Sequence, residues 1–217
     1  MAIKVNGTTV INDSRSLTNI ASVDAATVTT LSNAGVGGGG ATEFITKATV
    51  SSATLNINFT SSSFDSSKYD NYMFVINGLQ DDSIWTIVDV QYSTNGGSSF
   101  IAGSSYYWSL TRSDYNLTGN ADSSMQLCDR IARTSYQVGG LNSVLYLANP
   151  HSTTLPTFIS GISSYVYDGS TRVSADDKFS GYNSTTSAVN GIRFRSSNGS
   201  GYEFNRGSIA MYGIKKS

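Results

Sequence analysis

Cysteine, histidine and proline are nearly absent from this chain, which has one, one and two of them among 217 residues. The single cysteine, Cys128, cannot form an internal disulfide, and we expect it to be a small buried side chain rather than a reactive thiol. Because the chain has 21 glycines against two prolines, we expect glycine to make most of the turns.

Charged residues are also scarce, at 13% of the chain against about 25% in typical soluble domains. The formal net charge of −1 removes any broad electrostatic case for binding nucleic acid or an acidic membrane surface. No apolar run approaches the roughly 20 residues that a membrane span needs, and the first residues lack the apolar core of a signal peptide. We therefore expect that the protein is made in a cytosol and does not insert into a membrane.

The sequence is rich in segments that alternate at the two-residue period of a β-strand. Within residues 69–100, the run 72–76 is apolar at every position and predicts a strand buried on both faces. Residues 84–92 predict a half-buried strand, with Asn77-Gly78, Gln80–Ser83 and Asn95-Gly96-Gly97 as turns. Further strands are predicted at 44–50, 53–59, 106–112, 125–128, 143–148, 157–167, 171–178, 191–195 and 208–214. This pattern predicts an all-β chain with an antiparallel, jelly-roll-like β-sandwich.

The first 34 residues predict a small arm rather than a domain. Residues 3–11 suit a hairpin closed by Asn6-Gly7, and Asp24 can cap one short helix. Both elements are too small to be stable alone, so we expect them to pair with copies or with a partner. Residues 35–41 are a glycine-rich linker, because no Gly-Lys-Ser/Thr and no flanking strand and helix support a phosphate site. The predicted organisation is an arm at 1–34, the linker at 35–41 and the sandwich at 42–217.

The residues that carry enzyme chemistry form no recognisable pattern. His151 lies in a predicted loop without a nucleophile elbow, and we interpret it as a loop residue. The pairs Asp81-Asp82, Asp176-Asp177 and Asp65/Asp70 fit turns. A glycosidase or a calcium site would need carboxylates that converge in space, which the sequence does not show. We predict no catalytic residue, metal or cofactor.

The aromatic run Tyr106-Tyr107-Trp108, with Tyr115 and Trp85, is the one feature that suggests a ligand. Aromatic rings stack on sugars and also anchor interfaces. Adjacent strand residues point to opposite faces, so some of the run belongs to the core or to a subunit interface. If the domain binds a host glycan, we expect the contacts to come from the turn-rich segment after Arg112 and from the strand before it. The residues are Tyr106, Trp108, Asp114, Tyr115 and Asn116.

Three stretches together resemble one class of protein. Residues 1–20 match an NGTTVI-(D/N)-x-SR-x-L-x-NI string, and residues 207–215 match a G-(T/S)-I-x-x-YGIK ending. Residues 69–72 and 93–100 match a YD-x-Y … S-x-(D/N)GG-x-x-F pattern. By these motifs the chain resembles tail-fibre-like virion proteins of tailed bacteriophages, especially marine and cyanobacterial ones.

The resemblance implies an N-terminal attachment segment, a hinge and a C-terminal β-domain that forms a trimer, with no catalytic residues. The expected partners are other virion proteins, further copies of the chain and a host surface glycan, and the expected location is the virion assembled in the host cytoplasm. The apolar residues expected to attach the arm to the particle are Ile3, Val5, Val10, Ile11, Leu17, Ile20, Val28 and Leu31.

The expected function is that of a non-enzymatic short tail fibre or appendage that contacts the host surface. The chain lacks the shaft repeat of a long fibre, so a capsid decoration protein remains an alternative. A glycan-degrading tail appendage is a second alternative. A β-helix depolymerase would need many regular rungs and a longer chain, which argues against it.

Overall fold

The computed structural model describes residues 3–5, 8–11, 24, 26–27, 30, 41–81, 86–112, 116–131, 139–167, 173–197 and 202–216. The chain divides into two compact units, Met1–Gly40 and Ala41–Ser217.

In the first unit, β1 (Ile3–Val5) pairs antiparallel with β2 (Thr8–Ile11), which confirms the predicted hairpin. The carboxylate of Asp24 accepts a hydrogen bond from the backbone amide of Thr27 at 2.9 Å, as expected of a helix cap. Of the predicted attachment residues, Ile3, Val5, Val10 and Ile11 lie on these two strands. Leu17, Ile20, Val28 and Leu31, with residues 35–40 of the predicted linker, fall outside the described residues.

The regular secondary structure described in the second unit is almost all β-strand. The strands are β3 (Thr42–Thr49), β4 (Asn56–Phe59), β5 (Tyr69–Asp81), β6 (Val88–Ser93), β7 (Tyr106–Thr111), β8 (Asn116–Asp122), β9 (Met125–Gln126), β10 (Leu141–Ala148), β11 (Phe158–Tyr167), β12 (Val173–Asn183), β13 (Gly191–Ser196) and β14 (Phe204–Lys215). A single 3-10 turn, Ser61–Ser63, interrupts the described strands.

The strands form two antiparallel sheets, which confirms the predicted antiparallel sandwich. The large sheet has eight strands in the order β3-β14-β5-β10-β11-β12-β7-β8, and the small sheet has four in the order β4-β13-β6-β9. The core lies between them. Phe74 of the large sheet contacts Phe59 and Phe194 of the small sheet edge-on, with ring centroids 5.4 Å away in both cases. Burial of one such ring contributes about 1.5–3 kcal/mol relative to leaving it exposed.

Strand β5 departs from two predictions. It continues through Asn77-Gly78 and Gln80 to Asp81, where turns were predicted. The ladder is irregular on both sides of this stretch, and Gly78 has a positive φ of 60°, so the glycine marks a bulge rather than a turn. The prediction that 72–76 is buried on both faces is also wrong: Tyr72, Phe74 and Ile76 are buried, whereas Met73 and Val75 are only half-buried on the outer face.

Strand β6 and the segment after Arg112 also differ from the predictions. All six residues of β6 are buried, Asp89 and Gln91 included, because polar partners cover the face that was expected to be exposed. Residues 82–85, including Trp85, lie outside the described residues. The segment predicted as a turn-rich loop contains β8, which pairs with β7 along its length. Its residues alternate between exposed and half-buried, a pattern too polar to be recognised as a strand.

Gly207 of β14, which lies against the β5 bulge at Gly78 and Leu79, provides a test of the fold. Gly207 has a φ of 103°, and a Cβ added there would lie 2.5 Å from Leu79 Cα. We expect Gly207→Ala to lower the free energy of unfolding by about 1–3 kcal/mol or more, because both the dihedral angle and the contact are unfavourable. Gly103→Ala is the matched control, since an added Cβ there meets nothing within 4 Å. Urea denaturation measures both, and equal midpoints for the two variants would contradict the bulge.

Candidate functional site

Tyr106, the first predicted ligand residue, belongs to the core. Its side chain is fully buried, and its hydroxyl donates to the carbonyl of Ile101 at 3.1 Å and accepts from the amide of Tyr92 at 2.8 Å. Burial raises the pKa of Tyr106 to about 12. The prediction that Tyr106 contacts a ligand is therefore wrong, because no part of the ring is open to solvent.

Of the other four predicted residues, the structure describes Trp108 and Asn116. Asp114 and Tyr115 lie outside the described residues. Asn116 is exposed at the start of β8, opposite Thr111, about three residues along the hairpin from Trp108. Of these two described residues, Trp108 lines a cleft.

That cleft lies where the β7–β8 hairpin of the large sheet meets β6 and β9 of the small sheet. It encloses about 210 Å³ and is lined by Ile87, Asp89, Trp108, Asp122, Ser123, Ser124, Gln126 and Ser197. Most of the lining is polar. We refer to it as the Trp108 cleft.

A glycine holds the indole of Trp108 in place. Gly119 is the cross-strand partner of Trp108, and a Cβ added to it would lie 1.9 Å from Trp108 Nε1. The ring therefore lies directly against the β8 backbone, and its Nε1–H donates to Asp122 Oδ2 at 2.9 Å. This bond fixes both the aromatic wall and one carboxylate of the cleft.

The second carboxylate, Asp89, is 6% exposed and comes from the small sheet. Arg195, its partner on β13, pairs with it at 3.1 Å between Nη2 and Oδ2, and Ser124 Oγ donates to the same oxygen at 2.8 Å. Burial raises the pKa of Asp89, the hydrogen bonds from Ser124 and Arg195 oppose that rise, and the charge of Asp122 adds to it. The two carboxylates of the cleft thus influence each other electrostatically.

A second cross-strand pair, Arg193 and Gln91, supports the edge of the Trp108 cleft. The guanidinium of Arg193 donates to Gln91 Oε1 and lies 4.3 Å from the centre of the Phe100 ring. Gln91 Nε2 in turn donates to the carbonyl of Ser123 at 2.8 Å, which anchors the turn before β9. The sequence does not reveal the partner of Arg193 or of Arg195, because cross-strand register is not visible in it.

The chemistry of the Trp108 cleft is that of a polar binding site with one aromatic wall. Carboxylates accept hydrogen bonds from hydroxyl or ammonium groups, and Ser124 and Gln126 add polar groups of their own. The formal charges of Asp89, Asp122 and Arg195 together sum to −1. Such a site favours neutral or cationic ligands over anions. Within the described residues, no group of three or more His, Cys, Asp or Glu side chains is placed to hold a metal ion.

His151 has a contact that the sequence did not reveal. It lies in the loop after β10, as predicted, and its Nε2 is 3.0 Å from the hydroxyl of Tyr72. Partial burial, more than any nearby charge, lowers the pKa of His151. Cys128 is buried as predicted, and burial raises the pKa of its thiol.

Comparison with known proteins adds no assignment: no family model matches the chain, and no curated protein or solved structure matches it significantly. In the described part of the chain, no helix has the length and apolarity to cross a bilayer. The fold and the cleft therefore define the class, a β-sandwich with a polar cleft at the edge of its large sheet.

Gly119 provides a test of the cleft geometry. In Gly119→Ala, the new methyl group would overlap both Trp108 Nε1 and Asp122 Oδ2, so the indole must leave its hydrogen bond. In a Trp85→Phe background, where Trp108 is the only tryptophan, we expect its fluorescence to shift to longer wavelength as the ring becomes solvated. Asn120→Ala, at the exposed neighbouring position, should leave the spectrum unchanged. An unshifted spectrum in the Gly119 variant would mean that the ring does not lie against this glycine.

Proposed function

We propose that this chain is a non-enzymatic structural protein of a bacteriophage virion, a short tail fibre or appendage whose sandwich contacts the host surface. Residues 1–34 attach it to the particle, and several copies, as a trimer, form the appendage. The terminal and central motifs support the virion assignment. The Trp108 cleft is the observation that supports host contact.

The division into two units supports separate attachment and recognition. A two-stranded hairpin such as β1–β2 is marginal alone in water, so it gains stability from a partner surface. The sandwich has its own core of aromatic and aliphatic side chains. Removal of the arm should therefore leave the recognition domain intact.

The Trp108 cleft fits a sugar better than a charged or apolar ligand. Sugar rings need an aromatic surface together with directed polar partners, and the cleft joins Trp108 to two carboxylates and a serine. Its volume of about 210 Å³ is below the ~300 Å³ of the smallest drug-sized sites, so it has room for about one ring. The negative charge selects a neutral or amino sugar of the host surface over a uronic or sialic acid.

A glycan-degrading appendage is the second candidate, because two carboxylates line one cleft. Burial raises the pKa of Asp89, as a general acid requires. Both groups are already engaged, however, Asp89 by Arg195 and Ser124 and Asp122 by Trp108. A capsid decoration protein, the remaining alternative, has no need of a sugar site.

The first test concerns attachment. Deletion of residues 1–41 should give a soluble, folded sandwich that is no longer incorporated into particles, since the hairpin and helix would be missing. Circular dichroism establishes folding, and immunoblotting of purified particles measures incorporation. Normal incorporation of the truncated chain would rule out the arm as the attachment segment.

The second test concerns the cleft. Particles that carry Asp122→Asn should adsorb to host cells about tenfold more slowly, because one charged hydrogen-bond acceptor contributes roughly 1.5–3 kcal/mol. Asp70→Asn, at an exposed position of β5, is the control. Unchanged adsorption with Asp122→Asn would favour the decoration function. Release of reducing ends from host glycan, abolished by Asp89→Asn, would establish the enzyme instead.

A further inference from the structure

The outer face of the large sheet carries most of the exposed apolar side chains. Among the described residues, six large apolar side chains are exposed: Phe44, Val144, Tyr146, Leu155, Phe158 and Ile162. All except Leu155 lie on strands of this sheet, and the residues that alternate with them, such as Leu145, Leu147 and Ile159, are buried in the core. The exposed set therefore points away from the small sheet.

The strand register joins these side chains into continuous rows. One row crosses four strands through Ala210, Val75, Val144 and Ile162. The next row crosses Phe44, Tyr212, Met73 and Tyr146. Residues 208–214, 71–77, 142–148 and 158–164, which make up this part of the sheet, contain no charged residue. Lys47 and Lys178 lie beyond the two ends of the first row.

A ladder of three rings extends the patch across β12 and β7. Phe158 stacks on Tyr182 with centroids 5.0 Å apart, and Tyr182 stacks on Tyr107 at 5.1 Å. Because the rings cover one another's faces, they leave no flat platform between them for a sugar. They form a rigid ridge instead.

The size of the patch matches a protein interface. Six strands spaced ~4.8 Å apart, each presenting about seven residues at ~3.3 Å, give roughly 670 Å² of flat area. A standard interface buries about 800 Å² on each partner, so the area of this face is of the order that a stable pair needs. The four uncharged strands form the centre of this face, and the exposed Asp176 and Lys178 of β12 flank it on one side. An interface usually has such a centre depleted of charge within a polar rim.

The face contains a hollow and a projecting ring side by side. The hollow measures about 490 Å³ and is lined by apolar Val75, Val144 and Ile162, with Asn77, Asn142 and Ser164 around it. Tyr146 is 49% exposed and follows Val144 by two residues on the same face, about 7 Å further along the strand.

We propose that a second copy of this chain packs on the outer face of the large sheet, with Tyr146 of each copy in the Val75–Val144–Ile162 hollow of the other. A two-fold pair requires each patch to be complementary to itself, and a ring beside a hollow of suitable depth meets that requirement. The absence of charge removes repulsion between identical faces. This pairing concerns the sandwich alone and does not depend on the proposed role in host contact. Because no two-fold axis relates the chains within one trimer, the pair joins chains of two different trimers when the arm holds the copies as proposed.

The first experiment compares two equally exposed residues in the full chain. Ile162 lines the hollow and Leu155 lies in the loop before β11, and each is 57% exposed. Sedimentation velocity of the parent, Ile162→Lys and Leu155→Lys measures the mass of the assembly. We expect Leu155→Lys to retain the two-fold association of the parent and Ile162→Lys to lose it. The dissociation constant of the Ile162→Lys pair should be at least tenfold higher. A parent that shows no association beyond that of the Ile162 variant would overturn the proposal.

A cross-linking experiment tests the same contact without weakening it. Cys128 is fully buried, so an engineered cysteine is the only accessible thiol among the described residues. The proposed two-fold axis passes between Tyr146 and the hollow, so each Val144 faces Tyr146 of the other copy and the two Val144 residues are offset by about 7 Å along the strands. We expect Val144→Cys to give a covalent dimer with a short bismaleimide and Leu155→Cys to give none. No cross-link at position 144, or equal cross-linking at both positions, would contradict the two-fold packing. Incorporation into particles and adsorption to cells are separate readouts, so failure here leaves the proposed function standing.

Discussion

The contact of Phe74 with Phe59 and Phe194 joins the two sheets. Phe74 lies on β5, and the packing of the second unit depends on the position of this strand. β5 is hydrogen-bonded to β14 on one side and to β10 on the other. Its inward residues, Tyr72, Phe74 and Ile76, face the small sheet. The register of β5 therefore decides which residues of its neighbours enter the core. A shift by one residue would move every inward ring to the opposite face.

The Trp108 cleft exists because the two sheets differ in width. Eight strands face four, so the β7–β8 hairpin at one margin of the large sheet extends to the border of the small sheet. There the indole of Trp108 covers the backbone at Gly119, while Asp89 is held by Arg195 from the neighbouring strand. Asp89 and Asp122 are thus each oriented by a residue distant in sequence, which preorganises the two carboxylates of the cleft on strands of the two sheets.

The two-residue period was enough to predict the sandwich and most of its strands. It failed at β8, where Thr118 and Asn120 alternate with Leu117 and Gly119, because an edge strand with one small half-buried face has little apolar signal. It also failed for Asp89 and Gln91, which are polar and buried. Their burial follows from pairing with Arg195 and Arg193, and those pairs are set by strand register. For the same reason, Trp108 is the one residue lining the cleft among the predicted ligand residues that the structure describes, and Asp89 and Asp122 were missed.

The wrong prediction for residues 72–76 points in the same direction as the exposed patch. A strand apolar at every position is typical of burial on both faces, yet the small sheet covers only the side of Tyr72, Phe74 and Ile76. Residues 144–148 of β10 have the same composition, and there Val144 and Tyr146 are exposed while Leu145 and Leu147 are buried. Solvent exposure alone would favour threonine, lysine or glutamate at these positions. The sequence of both central strands is therefore that of a sheet covered on both faces, and one chain covers only one of them. A second copy packed through its own large sheet would cover the other, giving four layers of which each chain supplies two, and would make the burial implied by the sequence complete.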